Sequence, residues 1–200
     1  MTAERRHNTD GRIARGERTR EAIVEAHAEL LRSGVLKPTG KVIAEQAGIS
    51  LRTVWLNFKD LEALLRATTS YWLDADSQLR RRVDPGLPLA TRVDQYVDQR
   101  VRRLEHIAPA ARSAVLGEPF SAALQDSRRA HVERSVSDLE AAFAAELDAA
   151  GAGRDALLKA MFVATSWPSW TTIRDDFGHD VDAATDVMRR SLRSLLRPAP

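Results

Sequence analysis

The residues best suited to chemistry lie in one short run, Leu51-Arg52-Thr53-Val54-Trp55-Leu56-Asn57-Phe58-Lys59. Arg52 stands at the start of a short helix, where a guanidinium can pair bidentately with a guanine edge, the commonest specific contact in a DNA major groove. Leu51 shares that first turn. Thr53, Trp55 and Lys59 each carry a donor for a phosphate oxygen, a contact that fixes register without reading sequence. Thr39 and Lys41, at the start of the preceding helix, and Asn57 complete the set of candidate DNA contacts. This is the chemistry of recognition. No G-x-S-x-G elbow, phosphate-binding glycine loop or Walker pattern is present. His7, His27, His106, His131 and His179 are scattered, with no spacing that would gather a metal. Asp175 and Asp176 are sequence neighbours and point to different helix faces. The expectation is no catalytic residue, no metal and no cofactor.

The elements that hold these side chains are marked by helix-end signals. Thr39 is an N-cap, able to accept from an unpaired backbone N–H in the first turn. Val42, Ile43 and Ala47 then form one apolar stripe, and Gly48 follows where a helix end favours positive φ. Ser50 caps again, with Ile49 before it placed to staple onto Val54. Two helices of about 41–47 and 51–57 therefore flank a turn of about three residues. That is a helix-turn-helix, whose second helix enters the major groove N-terminus first. Short helix pairs with a glycine turn also occur in all-α proteins that bind no DNA, so spacing alone leaves both readings open.

Three blocks together carry a resemblance: T-R-E-A-I-V-E-A-H-A-E-L-L (19–31), I-A-E-Q-A-G-I-S-L-R-T-V-W-L-N-F (43–58) and E-A-L-L (62–65). In order and spacing they resemble the N-terminal domain of TetR-family transcriptional regulators. The resemblance implies an all-α homodimer with a three-helix DNA-binding domain and a larger C-terminal domain that binds a small-molecule inducer and dimerises. Some positions depart from the family pattern. Trp55 stands where a phosphate-contacting Tyr is usual, and Asn57 replaces a frequent His. Leu61 replaces a Lys, for which Lys59 can substitute. Gly40 takes a usually apolar place, and His27 a small one on the inner face of the first helix.

The rest of the chain reads as helix throughout, giving an all-α fold of about nine helices. The organisation expected is a flexible arm over 1–16, a DNA-binding domain over 17–64 and a ligand-binding and dimerisation domain over 65–200. The arm bears Arg5, Arg6, Arg12 and Arg15, read either as a solvated tail or as a minor-groove contact. Helices are expected at about 18–33, 60–82 (capped by Asp60), 88–106, a short one between Pro109 and Pro119, 119–150, one from 154 kinked or restarted at Pro168, and 181–197. An apolar cavity in the C-terminal body is the expected inducer site. Its candidate lining is Trp72, Tyr96, His106, Phe120 and Phe143, together with Met161, Phe162, Trp167 and Trp170. The last two helices, apolar over a wide arc, resemble the pair that forms a four-helix bundle across a dimer axis.

Charge supports this reading modestly. Residues 1–60 hold 11 Lys and Arg against 8 Asp and Glu, and the remainder 19 against 20. With no cysteine there is no disulfide framework, and no apolar run is long enough to span a membrane, so a cytoplasmic protein is expected. The function implied is a ligand-responsive regulator, a repressor released from a palindromic double-stranded DNA operator by a small apolar or aromatic molecule. The competing reading is a helical small-molecule-binding protein or enzyme whose N-terminal helices are structural only.

Overall fold

In the computed structural model the backbone is described for residues 3–197 and side chains for residues 14–197. The described residues form ten α-helices and no strand: α1 (Ala3–Arg32), α2 (Gly40–Gln46), α3 (Leu51–Asn57), α4 (Leu61–Leu79), α5 (Leu89–Gly117), α6 (Ala122–Ala142), α7 (Ala144–Ala149), α8 (Arg154–Ala164), α9 (Trp167–Thr171) and α10 (Val181–Leu195). Short 3-10 turns precede α6 and α8, and a π-helical turn over Thr172–Asp176 follows α9. No described helix is long and apolar enough to cross a membrane.

Several helix starts fall where side chains satisfy the backbone. Asp60 Oδ1 accepts from Ala63 N at 2.7 Å and starts α4. Asp180 does the same for Ala183 N at 2.8 Å and starts α10. Pro168 is the second residue of α9, where a missing N–H costs nothing, and Ser166 caps that restart.

Three elements differ from expectation. Helix α1 begins at Ala3, so the backbone expected as an unfolded arm is helical. No proline interrupts residues 3–17, and extending a helix already nucleated adds one hydrogen bond per residue fixed. The side chains of Arg5, Arg6 and Arg12 lie outside the described residues; Arg15 is exposed. Helix α5 runs through Pro109 to Gly117 instead of stopping for a separate short helix. Proline removes one ladder bond there, but the flanking Ala108, Ala110 and Ala111 are strong helix formers. The helix expected over 119–150 is divided at Phe143, whose backbone leaves helical geometry at φ −128°. Its ring is fully buried and meets Tyr96 edge-on at 5.5 Å.

The chain forms two compact units that are not consecutive in sequence. The first runs to Asp74 and adds Ala108–Ser127; the second comprises Ala75–Ile107 and the chain from Arg128. The division therefore does not fall near residue 64, and α4, α5 and α6 each give residues to both units. In the first unit, Ile23, Leu30, Ile43, Val54, Phe58 and Leu64 form the core. In the second, Val93, Val97 and Leu104 of α5 pack with Leu139, Phe143, Met161, Trp170, Met188 and Leu192.

His27 is an unusual member of the first core. It is 3% exposed, and its Nδ1 lies 2.9 Å from Thr68 Oγ1. That hydroxyl donates to Leu64 O at 3.1 Å, so it accepts the Nδ1–H of a neutral ring. Burial pushes the imidazole from 6.5 down to about 4. Between these values the unfolded chain binds more protons than the folded one, so stability is lost as pH falls from 6.5 through 4. The loss from this group is about 3 kcal/mol. Urea unfolding at pH 7 and pH 4 should show His27→Gln losing less stability on acidification than the parent, by about that amount. Equal losses would mean that another group sets the acid limit.

Candidate nucleic-acid interface

The face offered by α3 is set by the turn before it. Gly48, at φ 66°, lets the chain reverse after α2. Its N–H then reaches Glu45 O at 3.1 Å, and Ile49 N reaches Ala44 O at 3.0 Å, the paired bonds of a Schellman motif. Ser50 Oγ accepts from Thr53 N at 3.1 Å, opening α3 at once. Ile49 and Val54 both join the apolar core, so the staple expected from sequence is formed. At the far end, Arg20 donates to Asn57 O at 2.7 Å and lies over the Phe58 ring at 4.0 Å. This places a cation at the carbonyl end of α3, the favourable end for positive charge.

With Val54 and Phe58 turned inward, Trp55 and Leu56 follow Arg52 at three and four residues on the exposed side of α3, and Lys59, two residues past its end, is exposed as well. Leu56, which sequence reasoning did not single out, is 73% exposed and Trp55 38%. The clue to Leu56 was its position one turn after Arg52. Two adjacent large apolar side chains between two cations suit a partner that offers both phosphates and apolar base edges.

The other candidates divide by what already holds them. The Thr39 hydroxyl caps α2 by accepting from Val42 N at 3.3 Å. Thr53 Oγ1 is bonded to Ser50 Oγ at 2.8 Å, and Asn57 Nδ2 donates back to Thr53 O at 2.9 Å. These three act first in shaping the element. Leu51 is exposed at the start of α3. Lys41 and Lys59 make only exposed pairs, with Glu45 at 3.9 Å and Asp60 at 3.7 Å. Pairs of that kind contribute little and exchange readily for a phosphate.

Two departures from the family pattern meet in space. A Cβ built on Gly40 would stand 2.5 Å from Trp55 Cζ2, closer than real side chains approach. Gly40 does not have positive φ, so it is needed for room: the larger indole occupies space that a side chain at position 40 would fill.

The residues expected to line an inducer cavity fall in both units. Trp72 belongs to the first unit, where its ring meets Tyr71 edge-on at 6.0 Å and lies 5.1 Å from the Arg32 guanidinium. Phe120 also belongs there and is 89% exposed. Tyr96, Phe143, Met161 and Trp170 are buried in the second unit's core, with Phe162 and Trp167 packed partly buried against it. His106 is half-buried in the same unit. A groove of about 380 Å³ between α5 and α10 is lined by Asp98, Val101, Val181, Asp182, Thr185, Asp186 and Arg189, none of them a candidate. Comparisons of the chain with protein-family models, with curated proteins and with solved structures find no match.

The Gly40–Trp55 contact makes a double-mutant cycle informative. Gly40→Ala should gain up to about 1 kcal/mol of helix propensity where the space is open. It should gain nothing, or lose stability, beside Trp55, and show its gain in a Trp55→Phe background. A coupling of about 1 kcal/mol in urea unfolding is expected. Strict additivity would mean that the indole moves aside freely.

Proposed function

We propose that this protein is a DNA-binding transcriptional regulator of the TetR type, in which α2 and α3 form a helix-turn-helix and α3 is the recognition helix. The observation that carries the reading is the exposed face of α3, with Arg52, Trp55 and Leu56 on a helix held by caps at both ends and exposed Lys59 just past its end. Recognition requires side chains held rigidly at the correct pitch, and the two-sided capping of the turn supplies that. Arg52 reads a base edge; Trp55 and Lys59 meet phosphates; Leu51 and Leu56 meet apolar edges such as thymine methyls.

The functional form is a homodimer through α8 and α10, because two recognition helices must meet half-sites of a palindrome. Most of α10's stripe is taken up by its own unit, with Ala184, Met188 and Leu192 buried. The surface left over supports an interface: Val163 is 59% exposed and Val187 36%, beside half-buried Leu158, Phe162 and Leu195. A small molecule bound by the second unit weakens DNA binding, and DNA must weaken its binding by the same factor. Helix α4 carries the coupling, since it begins three residues after Phe58 and ends in the second unit.

Binding to a DNA fragment from beside the gene, at two salt concentrations, tests the reading. Retention of one fragment over competitor DNA, with affinity falling steeply in salt, is expected. Failure to prefer any fragment at either salt would remove the function and leave the fold. Arg52→Ala should lower discrimination among operator variants by about 1–3 kcal/mol, whereas Lys59→Ala should weaken all DNA alike and reduce the salt slope by about 1. In sedimentation velocity, Val163→Glu should convert a dimer to monomer and weaken operator binding. A variant that stays dimeric would place the interface elsewhere.

A further inference from the structure

The outward ridge of α3 pairs one cation with one large apolar side chain. Val54 and Phe58 face the core of the first unit, and by helical pitch position 56 lies most nearly opposite them. Leu56 is accordingly 73% exposed, the most exposed large apolar side chain of this helix. Arg52 lies one turn before it on the same ridge. Leu51 and Trp55 sit to one side, over the start of α2. A Cβ built on Gly40 would stand 3.3 Å from Leu51 Cδ1 and 2.5 Å from Trp55 Cζ2.

The other polar side chains of α3 are engaged inside it, Thr53 with Ser50 Oγ at 2.8 Å and Asn57 with Thr53 O at 2.9 Å. Arg52 is therefore the donor left facing outward, and beyond it the ridge is apolar. Most of Leu56 stays in water, so it adds little to folding and keeps its surface for a partner. Arg52 before it and Lys59 after it supply the positive charge that a phosphate-edged groove attracts. The methyl group displayed on the floor of the major groove is the C5-methyl of thymine. Against an unmethylated edge, a leucine covers polar atoms without pairing them, which is unfavourable.

We infer that Leu56 is a specificity-determining residue that reads the C5-methyl group of a pyrimidine, so that binding answers to the methylation state of that base. This rests on the function proposed above and gives part of the operator a chemical identity. Arg52 and Leu56 are four residues apart, about 6 Å along the helix axis. That places the methyl within about two base pairs of the guanine that Arg52 meets. Thymine carries the group permanently. Cytosine acquires it on the same carbon when C5-methylated, and pairing with guanine is unchanged. A half-site with cytosine at this place is bound weakly until it is methylated.

The test uses the full chain and begins by selecting bound duplexes from a pool of random sequence. In the recovered half-sites, each thymine within about two base pairs of the shared guanine is replaced singly by uracil, keeping its adenine. Cytosine and 5-methylcytosine, each opposite guanine, are then placed at the same positions. Within each of these two comparisons only the methyl differs. At one position both should favour the methylated base, by about three- to tenfold in Kd. Leu56→Ala should bring both ratios close to one and keep the guanine preference, and Arg52→Ala should do the reverse. Urea unfolding checks that each variant is folded, and the parent's two comparisons stand without any variant. Equal affinity for methylated and unmethylated bases at every position would overturn the inference, as would a methyl preference that survives Leu56→Ala. Selective DNA binding would still stand in both cases. Recovery of no sequence, with no salt-dependent binding, would instead remove the DNA-binding function and this assignment with it. Leu56→Ala with unchanged DNA affinity but a smaller assembly in sedimentation velocity would reassign the ridge to a protein partner.

Discussion

Every helix end leaves backbone groups that must find partners, and the turn between α2 and α3 meets that requirement for two ends within four residues. One left-handed residue, Gly48, returns two N–H groups to the α2 carbonyls, and Ser50 immediately supplies an acceptor for α3. Nothing longer intervenes, so the direction of α3 follows from that of α2. The inward set, Val54 and Phe58, then determines by helical pitch which side chains face out. Arg52 and Trp55 need no contacts of their own to be positioned. The contact between Gly40 and Trp55 follows the same logic, because a bulky outward ring is tolerated where the facing helix start has no side chain.

The second unit solves a different problem. Its interior is built mainly from aliphatic and aromatic groups, yet α5 drives three arginines into it: Arg92, Arg100 and Arg103. Arg92 is matched by Glu146 and the Ala142 carbonyl, and Arg103 by two aspartates. Arg100 leans on a helix-end carbonyl at Thr165, a neutral substitute for an acid. Pairing with acids is thus complete at Arg92 and Arg103 and absent at Arg100 between them, a pattern that hydrophobic packing alone does not require.

What could be read from the sequence was governed by how local the cause was. Caps at Thr39, Ser50 and Asp60, the glycine turn and the interruption at Pro168 all act within four residues, and each was legible. The continuation of α5 through Pro109 was not, because the outcome depends on whether neighbouring residues outweigh one lost bond. The break at Phe143 was hidden for a related reason: Tyr96, far away in sequence, receives that ring. Aromatic residues were a poor guide to a cavity, since composition cannot distinguish a lining from a filling. The charged cluster around Arg100 was not legible: His131 is one of five scattered histidines, and Arg100 and Arg134 look like any solvated face until burial is known.

The first unit is completed by Ala108–Ser127, a segment that arrives after Ala75–Ile107 has been laid down for the other unit. In it, Ala123 N donates to Glu62 Oε2 at 3.1 Å and Arg66 pairs with Asp126 at 3.2 Å. The unit that contains α3 is therefore not a cassette. A gene fusion or recombination event that cut the chain after α4 would carry away α1 to α4 but leave behind the stretch that completes their unit. Exchange of this unit between proteins of the same architecture would have to import two stretches at once. Divergence by point substitution along the whole chain is consequently the easier evolutionary route for this architecture.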